Sequence, residues 1–170
     1  NGLASKNVSS ITRIGNNVYS GTDIGIFRAI DTFFNWNPSH NKLFGNTINN
    51  LIARENKIFA ATNIGVFMSS DSGNTWILKN NGLNNASITA FCKSDSMLIV
   101  GTDINGIYYS TDEGDTWNLM NNSILIIEVQ SLAVKDNIIF VGTNGTGIHR
   151  TTNLGATWSS TNSGLSNLYV

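Results

Sequence analysis

Charge is scarce in this chain. Ten Lys and Arg against eleven Asp and Glu leave a formal net charge of −1, and charged residues are only 12% of the 170. No basic stripe exists, which argues against nucleic acid as a partner. Nor is there a polybasic or amphipathic segment to hold a membrane surface. Long apolar runs are missing too: the longest, around Ile124–Ile127, is far too short to cross a bilayer. Cys92 is the single cysteine, which excludes an intrachain disulfide. Its place on an apolar first strand predicts a buried, inert thiol. The two histidines, His40 and His149, lack partners at ligand spacing. With neither a calcium loop nor a zinc pattern in the chain, no metal or cofactor is expected. No stretch of ten or more residues has a helical period, so helices are not expected either. No signal peptide is visible, and a chain beginning at Asn1 is expected to be mature or truncated.

What is present is repetition. Trp36, Trp76, Trp117 and Trp158 are the only tryptophans, and they stand 40, 41 and 41 residues apart. A period of that size marks stacked supersecondary units. Ahead of the last three run S-S-D-S-G-N-T-W (69–76), S-T-D-E-G-D-T-W (110–117) and T-T-N-L-G-A-T-W (151–158). The first copy, A-I-D-T-F-F-N-W (29–36), keeps only Asp31 and its tryptophan. Upstream of each octapeptide lies a second motif, S-G-T-D-I-G-I-F in the first repeat, starting at Ser20, Ala60, Val100 and Val141. Further upstream again is N-G-L or a looser version, at Asn1, Asn41, Asn81, Asn122 and, as S-G-L, at Ser163.

Within a repeat the apolar runs are short and β-rich, and Gly, Asn and Asp punctuate them. Repeat one predicts strands over 8–14, 17–22 and 26–30, with a short piece around Trp36. Four strands of five or six residues with tight turns fill about 40 residues. The class is therefore all-β, with four β-propeller blades of four antiparallel strands. The blades run 1–40, 41–80, 81–121 and 122–162, and 163–170 begins another first strand. A segment of a longer propeller is favoured over a self-closing ring of four, and self-association is expected of an open arc.

The innermost strands align Val8/Ile11, Ile48/Leu51, Ile88/Phe91 and Val129/Leu132, and these side chains are expected to fill the space between blades. The octapeptide reads as a turn. Its Asp or Asn should accept from backbone N–H groups two residues on, as in an Asx turn. Gly73, Gly114 and Gly155 supply positive φ, and the tryptophan anchors the hairpin in the core.

These residues resemble the Asp-box, or bacterial neuraminidase repeat, S/T-x-D-x-G-x-T-W. The match is complete at 69–76 and 110–117; Asn153 replaces the aspartate at 151–158, and the copy at 29–36 lacks both glycine and leading hydroxyl. The whole repeat is similar to secreted bacterial propellers built of sortilin-like or photosystem-assembly-factor-like repeats. That resemblance implies a bacterial secreted or cell-surface protein. It also implies that Asp31, Trp36, Asp71, Gly73, Trp76, Asp112, Gly114, Trp117, Asn153, Gly155 and Trp158 serve structure, at the end of the blade away from ligand.

At the ligand end fall Asp23, Asn63, Asp103 and Asn144, in the turns between second and third strands, with the Asn80–Asn85 connection beside them. A non-enzymatic module binding a protein or glycan, or serving as scaffold, is expected. The rival is a glycoside hydrolase fragment with Asp23 and Asp103 as its facing carboxylates. Sialidases with this box use an arginine triad. Arg28 and Arg150 are better read as surface residues or links between blades.

Overall fold

The computed structural model describes residues 2–30, 35–39, 43, 45–84, 86–120 and 128–170. Among them there is no α-helix, and sixteen strands form four antiparallel sheets. The first sheet holds β1 (Val8–Ile14), β2 (Asn17–Thr22), β3 (Gly25–Ile30) and β4 (Asn37–Pro38). The second holds β5 (Ile48–Arg54), β6 (Lys57–Thr62), β7 (Gly65–Ser69) and β8 (Ile77–Leu78). The third holds β9 (Ile88–Lys93), β10 (Leu98–Thr102), β11 (Ile107–Ser110) and β12 (Asn118–Leu119). The fourth holds β13 (Val129–Lys135), β14 (Ile138–Thr143), β15 (Gly147–Thr151) and β16 (Ser159–Ser160). Each sheet is a simple meander of consecutive strands. The strands expected from the sequence are there to within a residue. The fourth strands, however, start just after the tryptophan instead of containing it.

Two-residue loops set the registers. Ile14 pairs with Asn17, Arg54 with Lys57 and Lys135 with Ile138, and the first loop residue (Gly15, Glu55 or Asp136) has positive φ. The second strands β6 and β10 are buried almost throughout, as strands covered on both faces must be.

Two compact units divide the chain, Asn1–Lys79 and Asn80–Val170, each holding two sheets. In the first unit a core of Tyr19, Ile48, Leu51, Ile58, Phe67 and Trp76 joins the sheets. Gly21 of β2 lies so close to Ile48 and Leu51 of β5 that a Cβ would collide with them. Ser9 donates to the Ile48 carbonyl, and the Leu51 N–H donates to Ser10 Oγ at 3.0 Å. The second unit repeats the device: Gly101 of β10 meets Val129 of β13, and Thr89 donates to the Val129 carbonyl. Its core holds Ile99, Ile107, Met120, Val129, Ile139 and Val141.

Val170 takes a third seat of this kind, against Gly142 of β14, and its N–H donates to Thr143 O at 3.2 Å. It stands five residues beyond Leu165, as Ile88 stands beyond Leu83 and Ile48 beyond Leu43. The first repeat departs from the expected burial. Val8 is 41% exposed and Ile11 64%, while the aligned Ile48, Leu51, Ile88 and Phe91 are buried. Within each unit the second strand of one sheet covers the first strand of the next, β2 over β5 and β10 over β13.

The N-G-L motif closes a sheet on itself. The Trp117 N–H donates to Asn81 O at 2.9 Å, and Gly82 lies flat against the Trp117 carbonyl, where any side chain would collide. Gly2 sits on the Trp36 carbonyl in the same way.

Candidate functional site

The octapeptides form the turn between third and fourth strands. Ser69 Oγ donates to Asp71 Oδ1 at 2.9 Å and accepts from the Gly73 N–H at 2.8 Å. Asp71 in turn accepts from the Thr75 N–H (2.8 Å) and the Thr75 hydroxyl (2.6 Å). Ser110, Asp112, Gly114 and Thr116 repeat this, with Thr116 N–H at 2.9 Å and its hydroxyl at 2.6 Å from Asp112. The aspartate thus bonds an N–H four residues on, not two as an Asx turn would have it, because the leading serine already takes the nearer donor at the glycine. These bonds favour the charged carboxylate. They hold Asp71 and Asp112 down to about 2, with the threonine hydroxyl as the largest cause in each. Asn153 reproduces the geometry without charge, accepting from the Thr157 N–H at 2.9 Å and donating its amide to Thr157 Oγ1 at 2.9 Å. Asp31 lies outside the described residues.

Two consecutive residues of each turn have positive φ: Ser72 and Gly73, Glu113 and Gly114, Leu154 and Gly155. That is the type I′ arrangement suited to a twisted hairpin. The glycine also fits the turn to its neighbour. A Cβ on Gly73 would overlap Ser39 and crowd Tyr19, and one on Gly155 would overlap the Met120 carbonyl. Ser39 and Met120 both stand three residues after a tryptophan, so the turns at Gly73 and Gly155 each rest on the preceding sheet of their own unit. In the first unit Tyr19 and Arg28 fasten the turn further, donating to Ser72 O at 2.9 and 2.7 Å. Arg28 therefore links sheets, while Arg150 is exposed. Trp76 and Trp117 are buried, Trp117 edge-on to Phe91 at 6.2 Å. Trp36 and Trp158 are only half-buried.

The opposite end of each sheet carries the turns between second and third strands. A buried threonine organises every one: Thr22, Thr62, Thr102 and Thr143 donate to the carbonyls of Gly25, Gly65, Gly106 and Gly147 at 2.8–2.9 Å. The next residue is the candidate site residue. Asp23 accepts from Ser5 Oγ and, at 2.8 Å, from Asn7 Nδ2. The serine bond chiefly, then the asparagine bond, lowers its pKa. Asn63, exposed, donates its N–H to Thr47 O at 3.3 Å. Asp103 donates its N–H to Ser87 O at 3.2 Å, but its Oδ1 is buried without a hydrogen-bond partner. Asn144 donates its side chain to Glu128 Oε2 at 2.7 Å. Asp23 and Asn63 belong to the first unit, Asp103 and Asn144 to the second.

Elsewhere, Cys92 is half-buried, not fully buried as its strand position predicts, and packs against the second unit's core, where burial pushes its thiol up to about 12. His149 is half-buried with a ring nitrogen 3.0 Å from Thr146 Oγ1, and His40 lies outside the described residues.

No protein-family model and no curated protein matches the sequence. Solved structures do match. The extracellular domain of BT3049 from B. thetaiotaomicron aligns with 94% of the chain at a TM-score of 0.77 and 16% identity. An ancestral GH74 enzyme aligns with 96% at 0.71 and 20% identity, and YCF48 bound to D1 peptide with 90% at 0.67 and 14%. The chain spans a quarter of the first two and 52% of the third. These are β-propeller proteins, and the four four-stranded sheets described above are propeller blades.

Proposed function

We propose that this chain is a non-enzymatic, exported β-propeller module that binds a protein or a glycan. The contact residues are those of the turns between second and third strands, Asp23 and Asn63 in the first unit and Asp103 and Asn144 in the second, together with the connection from Asn80. The observation that carries this reading is the state of Asp23. Ser5 donates to one of its carboxylate oxygens and Asn7 to the other, which ties the group into its own turn and lowers its pKa, the opposite of the shift the acid of a glycosidase pair needs. The likeness to an extracellular domain supports export. YCF48, a propeller of similar fold, has a bound D1 peptide, which supports a protein segment as one kind of ligand.

A second reading rests on Asp103. Its unpartnered Oδ1 is the one carboxylate oxygen among the described residues left buried without a hydrogen bond, and a GH74 enzyme shares the fold. In that reading Asp103 and Asp23 are the two carboxylates of a glycosidase. One assay separates the two: wild type, Asp23→Asn and Asp103→Asn on a panel of glycans. The binding module gives no turnover with any of the three. Wild-type hydrolysis abolished in both variants would establish the hydrolase instead.

A further inference from the structure

One difference between the two units lies where the first-hairpin loops meet the box of the next sheet. In the first unit Tyr19 of β2 is fully buried there, with its hydroxyl on Ser72 O, and Ile14 packs beside the same core. The repeat puts Ile99 at the position of Tyr19, Ser94 at that of Ile14 and Leu154 at that of Ser72. Two smaller side chains leave space. A cleft of about 330 Å³ opens in the second unit, with Met97, Ile99, Val134, Ile139 and Leu154 as its apolar lining and Ser94, Asp95 and Thr152 among its polar groups. That volume lies in the range of small-molecule sites, as does the mix of apolar walls and a few polar groups.

We propose that this cleft binds a para-substituted phenol, the group that the chain itself supplies at the equivalent place in the first unit. The ring lies against Met97, Val134 and Leu154, above the buried Ile99 and Ile139, and the hydroxyl donates to the Leu154 carbonyl as that of Tyr19 does to Ser72. Ser72 and Leu154 hold the same place in turns closed by the same hydrogen bonds, so the two turns present this carbonyl alike. The site is at the end of the blade opposite Asp103 and Asn144, and it stands whether or not that end binds anything. Two sources have this chemistry, a tyrosine in an extended peptide and a free phenol.

The test is titration of the 170-residue chain with p-cresol, toluene and the peptide acetyl-Gly-Tyr-Gly-amide, followed by amide NMR shifts. Saturable shifts at Met97, Ile99 and Leu154 are expected with p-cresol, and binding of toluene about fivefold weaker for want of the hydroxyl. Tighter binding of the peptide than of p-cresol identifies a protein segment as the source; weaker binding identifies a free phenol. Ile99→Tyr fills the cleft from within and should abolish the shifts, and Ile99→Phe provides the same block should the tyrosine variant fold poorly. Absence of saturation with wild type up to millimolar p-cresol, or undiminished binding to a folded Ile99 variant, would overturn the proposal.

Discussion

Where the first two blades meet, Tyr19, Arg28 and Ser39 close on the turn at Ser72 and Gly73, and Trp76 is 3% exposed. Where the third and fourth meet, Ile99 and Met120 face the same turn, a cleft remains, and Trp158 is half-buried. The boxes themselves are alike in both units, down to the threonine and glycine bonds. How well a seam is filled therefore depends on residues outside the repeated letters. A box fixes the shape of its own hairpin, and the sheet before it decides how deeply the indole is covered.

Removing the indoles should sharpen that contrast most. Trp76→Ala and Trp117→Ala are expected to cost roughly 3–5 kcal/mol each in urea melts, the range for a buried aromatic. Trp158→Ala and Trp36→Ala should cost less, because these two side chains are less deeply buried than Trp76 and Trp117. Equal losses across the four would break the link between seam filling and burial.

Acid should act next. A carboxyl group held near 2 in the fold and near 3.8 in the unfolded chain stabilises the protein fully above about pH 4, and that contribution is lost as pH falls through 2. The Thr75 and Thr116 amide signals should therefore titrate with midpoints near pH 2. The Thr157 signal, facing Asn153, should stay flat. A titrating Thr157 would show that the amide box differs from the acidic ones in more than charge.

Smaller effects test the seam itself. Tyr19→Phe removes the hydrogen bond to Ser72 O and should cost about 1 kcal/mol by thermal or urea unfolding. A cost near zero would mean that the ring alone fills the seam. Leu154→Asn should stabilise by up to about 1 kcal/mol, since a leucine in the left-handed region is disfavoured and asparagine tolerates it. The same change at Ser72 should give less.

Strand positions were legible because short β-rich runs between Gly, Asn and Asp have little alternative, and β1 and β2 lie where the sequence puts them. Turn chemistry was partly legible. The glycines of positive φ follow from residue type, but Ser72, Glu113 and Leu154 do not, because the bonds of the box, not their own preference, hold them there. The cleft was hidden for another reason. Ile99 is as good a strand residue as Tyr19, and only the space it leaves against the neighbouring sheet separates them. Among the candidate site residues, position in the turn could be read from the threonine–glycine frame. The contact of Asn7 with Asp23 recurs as Thr47 with Asn63, Ser87 with Asp103 and Glu128 with Asn144, but the first residue differs in every copy, so the side-chain clasp on Asp23 could not be read.

Val170 resting on Gly142 has a consequence for how such a chain changes in length. The seat is made of a glycine and one aliphatic side chain; Gly21, Gly101 and Gly142 supply the first, and the second copy has Ala61, nearly as small, in that place. A duplicated forty-residue stretch would thus arrive with a fitting joint at either side. Lengthening or shortening by whole copies asks for no newly evolved surface, whereas gaining or losing a few residues inside one would throw tyrosine, box and glycine out of step together.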